Sequence, residues 1–116
     1  MNIQQYREFC IKKKGVTEEF PFDQETLVFK VCGKIFALTN VDSFSSLNLK
    51  CDPEEAVILR EKYPCVQPGY HMNKKHLNTI LLDGSVPDKL LLQWIDDSYH
   101  CVVKGLPTKD KLKSEM

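Results

Sequence analysis

Thr26-Leu27-Val28-Phe29-Lys30-Val31-Cys32-Gly33-Lys34-Ile35-Phe36-Ala37-Leu38-Thr39 is the stretch that decides the fold. In its first half Leu27, Phe29 and Val31 alternate with Val28, Lys30 and Cys32, which is the period of a strand and not of a helix. Gly33 tolerates the positive φ that a tight hairpin requires, so residues 34–39 are expected to return as a second, antiparallel strand. Residues 46–51 alternate Leu47, Leu49 and Cys51 with polar partners and add a third strand. Three sequential antiparallel strands make a meander.

Outward from the meander the period changes. Ile3, Tyr6, Phe9 and Cys10 recur at helical spacing, with Arg7, Glu8 and Lys12 to Lys14 on the other face, so residues 2–13 read as a helix stopped by Gly15. Phe20-Pro21-Phe22 follows as a rigid extended segment, because Pro21 disfavours the helical region for Phe20. Asp52-Pro53-Glu54-Glu55 starts a second helix: Asp52 is placed to cap, Pro53 suits the first turn, and the carboxylates complement the positive end of the dipole. That helix ends at Tyr63, before Pro64. Pro68-Gly69 marks a turn, residues 76–82 read as a further strand or two, and Asp83-Gly84 closes them. Ser85 to Asp88 is a variant capping box that opens the last helix, whose stripe of Leu91, Leu92, Ile95, Tyr99, Val102 and Val103 runs to about Gly105. The fold class is therefore α+β: an antiparallel sheet with helices packed on one face, in the order α-β-β-β-α-β(β)-α.

The 116 residues suit one domain, expected over residues 1–108, with a charged, apolar-poor and frayed tail at 109–116. No apolar run approaches the roughly 20 residues of a membrane span, and the first residues lack the apolar stretch of a signal peptide, so a cytoplasmic protein is expected. Cys10, Cys32, Cys51, Cys65 and Cys101 are odd in number and contain no C-x-x-C, so reduced thiols that act as small apolar fillers are expected in place of disulfides or a zinc knuckle. Sixteen cationic and sixteen anionic side chains cancel, which argues against a strongly basic nucleic-acid binder and leaves room for a local basic patch.

Phe20-Pro21-Phe22, Leu27-Val28-Phe29-Lys30-Val31, Gly33-Lys34-Ile35-Phe36-Ala37-Leu38 and Pro68-Gly69-Tyr70-His71-Met72-Asn73-Lys74 occur in order, together with Lys50-Cys51-Asp52-Pro53, Asp83-Gly84-Ser85 and Ser98-Tyr99. Taken together the chain resembles the MmcQ/YjbR family from its first helix to about Leu106. The resemblance implies a CyaY-like (frataxin-like) arrangement and a double-wing DNA-binding domain. Where that family usually carries Trp, this chain has Leu77, and its only tryptophan is Trp94 on the last helix.

The densest polar group is Tyr70-His71-Met72-Asn73-Lys74-Lys75-His76-Leu77-Asn78. One expectation is a phosphate-contacting surface, with Lys74 and Lys75 as point charges and His71, Asn73, His76 and Asn78 as hydrogen-bonding groups. Lys30 and Lys34, flanking the first hairpin, extend that surface if the hairpin tip is a wing. The competing expectation is a loop whose amides and imidazoles satisfy its own backbone. Double-stranded DNA is thus the expected partner; a protein partner or homodimer using an apolar face or Trp94 is the alternative. No metal site is expected, since His71 and His76 are five residues apart and Glu18, Glu19 and Asp23 are too few for an acidic ridge. No cofactor or catalysis is expected either. No G-x-S-x-G, P-loop, dinucleotide fingerprint or H-E-x-x-H occurs, Cys65/His71 and His100/Cys101 read as packing, and Asp96 and Asp97 read as solvent-facing.

Overall fold

The chain doubles back at Cys32-Gly33 as its alternation predicts, and both residues take positive φ, 50° and 79°, with Val31 set opposite Lys34. Positive φ at both central positions is the mirror-image turn whose twist matches that of the flanking strands. The structure, a computed structural model, describes residues 1–69 and 77–106. Among these, the elements run α1 (Ile3–Ile11), β1 (Val16–Glu19), β2 (Thr26–Val31), β3 (Lys34–Asn40), β4 (Ser46–Lys50), α2 (Pro53–Lys62), β5 (Val66–Pro68), β6 (Leu77–Leu81) and α3 (Asp88–Lys104). The strands form one sheet in the order β1-β2-β3-β4-β6-β5, and every neighbouring pair is antiparallel.

All three helices cover the same face. The register aligns Phe29, Ala37, Leu49 and Asn78 across the sheet. On that side Tyr6 of α1 meets Phe29 edge-on at 5.5 Å, and the Ala56 carbonyl of α2 accepts from the Asn78 side chain. Tyr99 of α3 meets Phe36 at 5.4 Å. On the other face Val28 and Leu38, opposite one another, are buried as well.

Several local expectations are corrected. β1 is an edge strand that the alternation of Val16, Thr17, Glu18 and Glu19 barely signals; it is held by pairing with β2 and by the bidentate ion pair of Glu18 with Arg7. The first helix is closed by a reciprocal Asn2–Gln5 capping box. The box expected at Ser85 does not form. α3 starts at Asp88 behind Pro87, and the Ser85 amide is taken by the Asp83 carboxylate. Asp52 stands at the α2 N-cap without a side-chain cap bond, because its carboxylate turns to Cys101 and Lys104. Asp96 is ion-paired with Lys13 and does not simply face solvent. Only Ala56 of α2 is buried, which leaves Val57 and Ile58 about half exposed. All five cysteines are free thiols; Cys10 and Cys65 are buried, and the others are partly so.

The register of β2 against β3 shifts between Phe29 and Lys30, so that Phe36 is an extra residue and points with Ala37 toward the helices. The same bulge interrupts the ladder. Continuing the β3–β4 register beyond Ala37 and Leu49 sets Phe36 opposite Lys50, but the fully buried Ser98 of α3 sits between them. Its hydroxyl donates to the Phe36 carbonyl and accepts from the Lys50 amide at 2.7 Å. Ser98→Ala leaves both backbone groups without that partner, and a buried unsatisfied group costs about 1–3 kcal/mol. The expected loss of unfolding free energy is about 2 kcal/mol in urea titrations; a change smaller than half of that would show that the two strands close directly.

Candidate functional site

In an antiparallel meander alternate connections fall at the same end of the sheet. The β2–β3 turn, the end of β4 and the inner ends of β5 and β6 share one end here, since Lys50 lies opposite Leu77 and the Gly69 amide donates to the Leu77 carbonyl at 3.0 Å. Val16 lies opposite Val31, which brings the end of the α1–β1 connection to the same place. The C-terminus of α3 arrives there too, because Lys104 lies 3.6 Å from Asp52. Lys14, Lys30, Lys34, Lys50 and Lys104 are therefore gathered at this end, facing the acids Asp52, Glu54 and Glu55 at the start of α2. At the other end the connections 20–25, 41–45 and 82–87 carry Asp23, Glu25, Asp42 and Asp83 and contain no Lys or Arg. In a chain of zero net charge the strand connections are thus segregated by sign, while the last turn of α2, with Arg60 and Lys62, and the first turn of α3, with Lys89, lie toward the acidic connections.

The residues singled out for nucleic-acid contact separate into three groups. His71, Asn73, Lys74, Lys75 and His76 lie outside the described residues. Lys34 is exposed beside the hairpin turn, while Lys30 is mostly buried and 3.4 Å from Glu19. Asn78 is corrected: at 2% exposure it is a structural amide, its oxygen accepting from Arg60 Nε at 2.7 Å and its nitrogen donating to the Ala56 carbonyl at 3.3 Å. Both atoms of its amide are engaged within the fold, and what little surface remains lines the inner wall of a cleft and not the outside of the molecule. Trp94 is also withdrawn from the surface at 7% exposure, packed edge-on against Tyr63 at 5.0 Å.

Beside the basic end, a cleft of about 290 Å³ opens between the end of β4, α2, β6 and α3. Leu49, Leu59, Ile80 and Trp94 form its apolar part, and Lys50, Asp52, Glu55 and Asp97 bring charge to it. Cys51 and Cys101 also line it, with Cys101 Sγ 3.7 Å from Asp52. Burial pushes the Cys51 thiol up to about 11, helped by the neighbouring Cys101 and by the carboxylates of Glu55, Asp52 and Asp97. Burial and Asp52 likewise raise Cys101, against the opposing pull of Lys50 and Lys104. Such thiols stay protonated near neutrality and are poor nucleophiles. Among the described residues no group of three or more His, Cys, Asp or Glu side chains is arranged to hold a metal ion. No described helix is long and apolar enough to cross a membrane.

Residues 11–101 match the YjbR family model. The Escherichia coli protein YjbR is 33% identical over 112 residues, covering 96% of this chain and 95% of that one. Escherichia coli YbdF is 40% identical over 93 residues, or 79% and 76% of the two chains. The crystal structure of Deinococcus radiodurans DR2400, with its DUF419 domain, superposes with a TM-score of 0.89 at 39% identity, over 99% of this chain and 88% of that one. A Pseudomonas syringae protein superposes with a TM-score of 0.71 at 32% identity, over 87% and 98%. The matched span contains the described hairpins and the cleft.

The thiol chemistry of the cleft is directly measurable. With its pKa near 11, Cys51 is expected to react with iodoacetamide at pH 8 roughly 100-fold more slowly than a free cysteine, and to gain rate steadily as pH rises toward 10. Peptide mapping by mass spectrometry measures this, and a rate equal to free cysteine would show an unshifted thiol.

Proposed function

The chain belongs to the YjbR family, and we propose that it is a non-catalytic protein that binds duplex DNA through its phosphate backbone at the basic end of the sheet. The observation that carries this role is the charge pattern of the connections: Lys14, Lys34, Lys50 and Lys104 share one end with the β2–β3 turn, beside Asp52, Glu54 and Glu55, while connections 20–25, 41–45 and 82–87 at the other end carry acids and no Lys or Arg. A polyanion approaching such a molecule is turned so that its phosphates meet the cationic end, whatever the net charge. Lys74 and Lys75 belong to the connection between Gly69 and Leu77, whose two flanks lie at that end. The small number of cations makes the interaction weak and general, without the base-reading side chains of a recognition helix.

The absence of catalysis is part of the proposal. Its support is that the two cleft thiols are held protonated by burial and by carboxylates, which is the reverse of how a nucleophilic cysteine is prepared. Val57 and Ile58, about half exposed on α2, favour the alternative of a protein-interaction adaptor that never touches nucleic acid.

Fluorescence anisotropy of a labelled random duplex, titrated at several salt concentrations, separates the two. Neutralising three or four phosphates gives a log–log salt slope of roughly −3, so affinity is expected to fall about 50- to 150-fold between 50 and 200 mM salt. Lys34→Ala with Lys50→Ala, and separately Lys74→Ala with Lys75→Ala, are each expected to shallow that slope by about two. Lys89→Ala, in the first turn of α3 at the acidic end, is the control and should leave it unchanged. No binding at low salt and high protein concentration would eliminate the DNA role and leave the adaptor.

A further inference from the structure

The cleft between β4, β6, α2 and α3 shares Lys50 with the basic end, yet its apolar interior is built like a ligand site. Its volume of about 290 Å³ lies at the lower edge of the range for small-molecule sites, and its walls combine apolar side chains with a few charged ones. Leu49, Leu59, Ile80 and Trp94 supply the apolar part from four separate elements. The charged groups are unequal: Asp52, Glu55 and Asp97 against Lys50. Asp52 is shared with Lys104, and Asp97 accepts one bond from Gln93 Nε2 at 2.9 Å, which leaves each carboxylate with lone pairs to spare.

We propose that this cleft binds a small organic amine, an ammonium group carried on an apolar stem of about six carbons or fewer. The stem lies along Leu49, Leu59, Ile80 and the Trp94 ring, and the ammonium donates to Glu55 and Asp97. Charge complementarity selects this class over others: with Asp52 taken by Lys104, a carboxylate or phosphate of the same size would still meet Glu55 and Asp97 against Lys50, and a neutral stem would gain nothing from either acid. Trp94 adds an aromatic wall of the kind that accommodates cations as well as apolar stems.

Trp94 is the only tryptophan of the chain, so its emission reads this site and no other. Titration with hexylamine is expected to change that emission saturably in the millimolar range, while hexanol and hexanoate bind at least 10-fold more weakly. Glu55→Gln with Asp97→Asn changes two exposed side chains and is expected to weaken hexylamine at least 10-fold. Circular dichroism and thermal melting of the variant check that the fold is kept. Three results would overturn the proposal: no saturable change with hexylamine, equal binding of hexanol, or hexylamine binding indifferent to the double substitution. DNA binding takes no part in this readout.

Discussion

The Ser98 hydroxyl stands where β3 and β4 would otherwise bond directly, donating to the Phe36 carbonyl and accepting from the Lys50 amide. Much of the molecule is arranged around that single inserted group. A bulge leaves a carbonyl without its ladder partner, and a buried carbonyl cannot remain so at tolerable cost. By supplying the partner from a helix, the chain ties α3 to the sheet at one rotational setting. Trp94 and Cys101, four residues before and three after Ser98, then share its face and are aimed into the cleft. Lys50 is held at the strand end by the same bond, which is why the cleft and the basic end adjoin.

The bulge has a second consequence in the core. Because Phe36 and Ala37 both point inward, an aromatic series continues unbroken from the Phe44 connection through Tyr6, Phe29 and Phe36 to Tyr99, with ring centroids 5.7, 5.5, 6.5 and 5.4 Å apart. Aromatic pairs at such separations contribute about 0.5–1.5 kcal/mol each beyond the area they bury. The series joins α1, two strands and α3 into one unit. Its last member, Tyr99, also donates through its hydroxyl to the Lys14 carbonyl at 2.6 Å, which fixes the end of the α1–β1 connection against α3. Packing and placement of the basic end are therefore properties of the same residues.

What the sequence made legible follows from periodicity, and what it hid follows from context. The β2–β3 hairpin was readable because alternation and Gly33 are local signals, and α3 because its stripe runs for four turns. β1 was hidden, since Val16-Thr17-Glu18-Glu19 has one apolar residue and owes its extended form to β2. Capping at Ser85 fails for a local reason, since Pro87 takes the N-cap position and Asp83 the Ser85 amide, whereas at Asp52 the tertiary partners Cys101 and Lys104 take the carboxylate. Asn78 was misplaced for the same reason. A polar residue in a polar run reads as exposed, and only the approach of Ala56 and Arg60 from α2 shows that its amide is spoken for. The cleft is not legible in the sequence, because Lys50 and Cys51 at the end of β4, Glu55 and Leu59 of α2, Ile80 of β6 and Trp94, Asp97 and Cys101 of α3 meet only in the fold.

The charge pattern of the connections, by contrast, was present in the sequence and needed only the topology to be read. In a meander the connections alternate between two ends, so the sign of successive connections is a property that can be written along the chain. Lysines 12 to 14, 30, 34 and 50 precede or flank connections of one parity, while Asp23, Glu25, Asp42 and Asp83 fill those of the other. Summing charge over the whole chain cancels this pattern to zero and discards it. Part of the segregation is structural: Lys13 is ion-paired with Asp96, Lys30 lies beside Glu19, and Asp23 and Asp83 accept amides of their own turns. The exposed members of the basic set, Lys14, Lys34 and Lys104, are the ones whose field orients the molecule toward a charged partner. Net charge measures how much field a protein presents at long range; loop parity determines which end presents it.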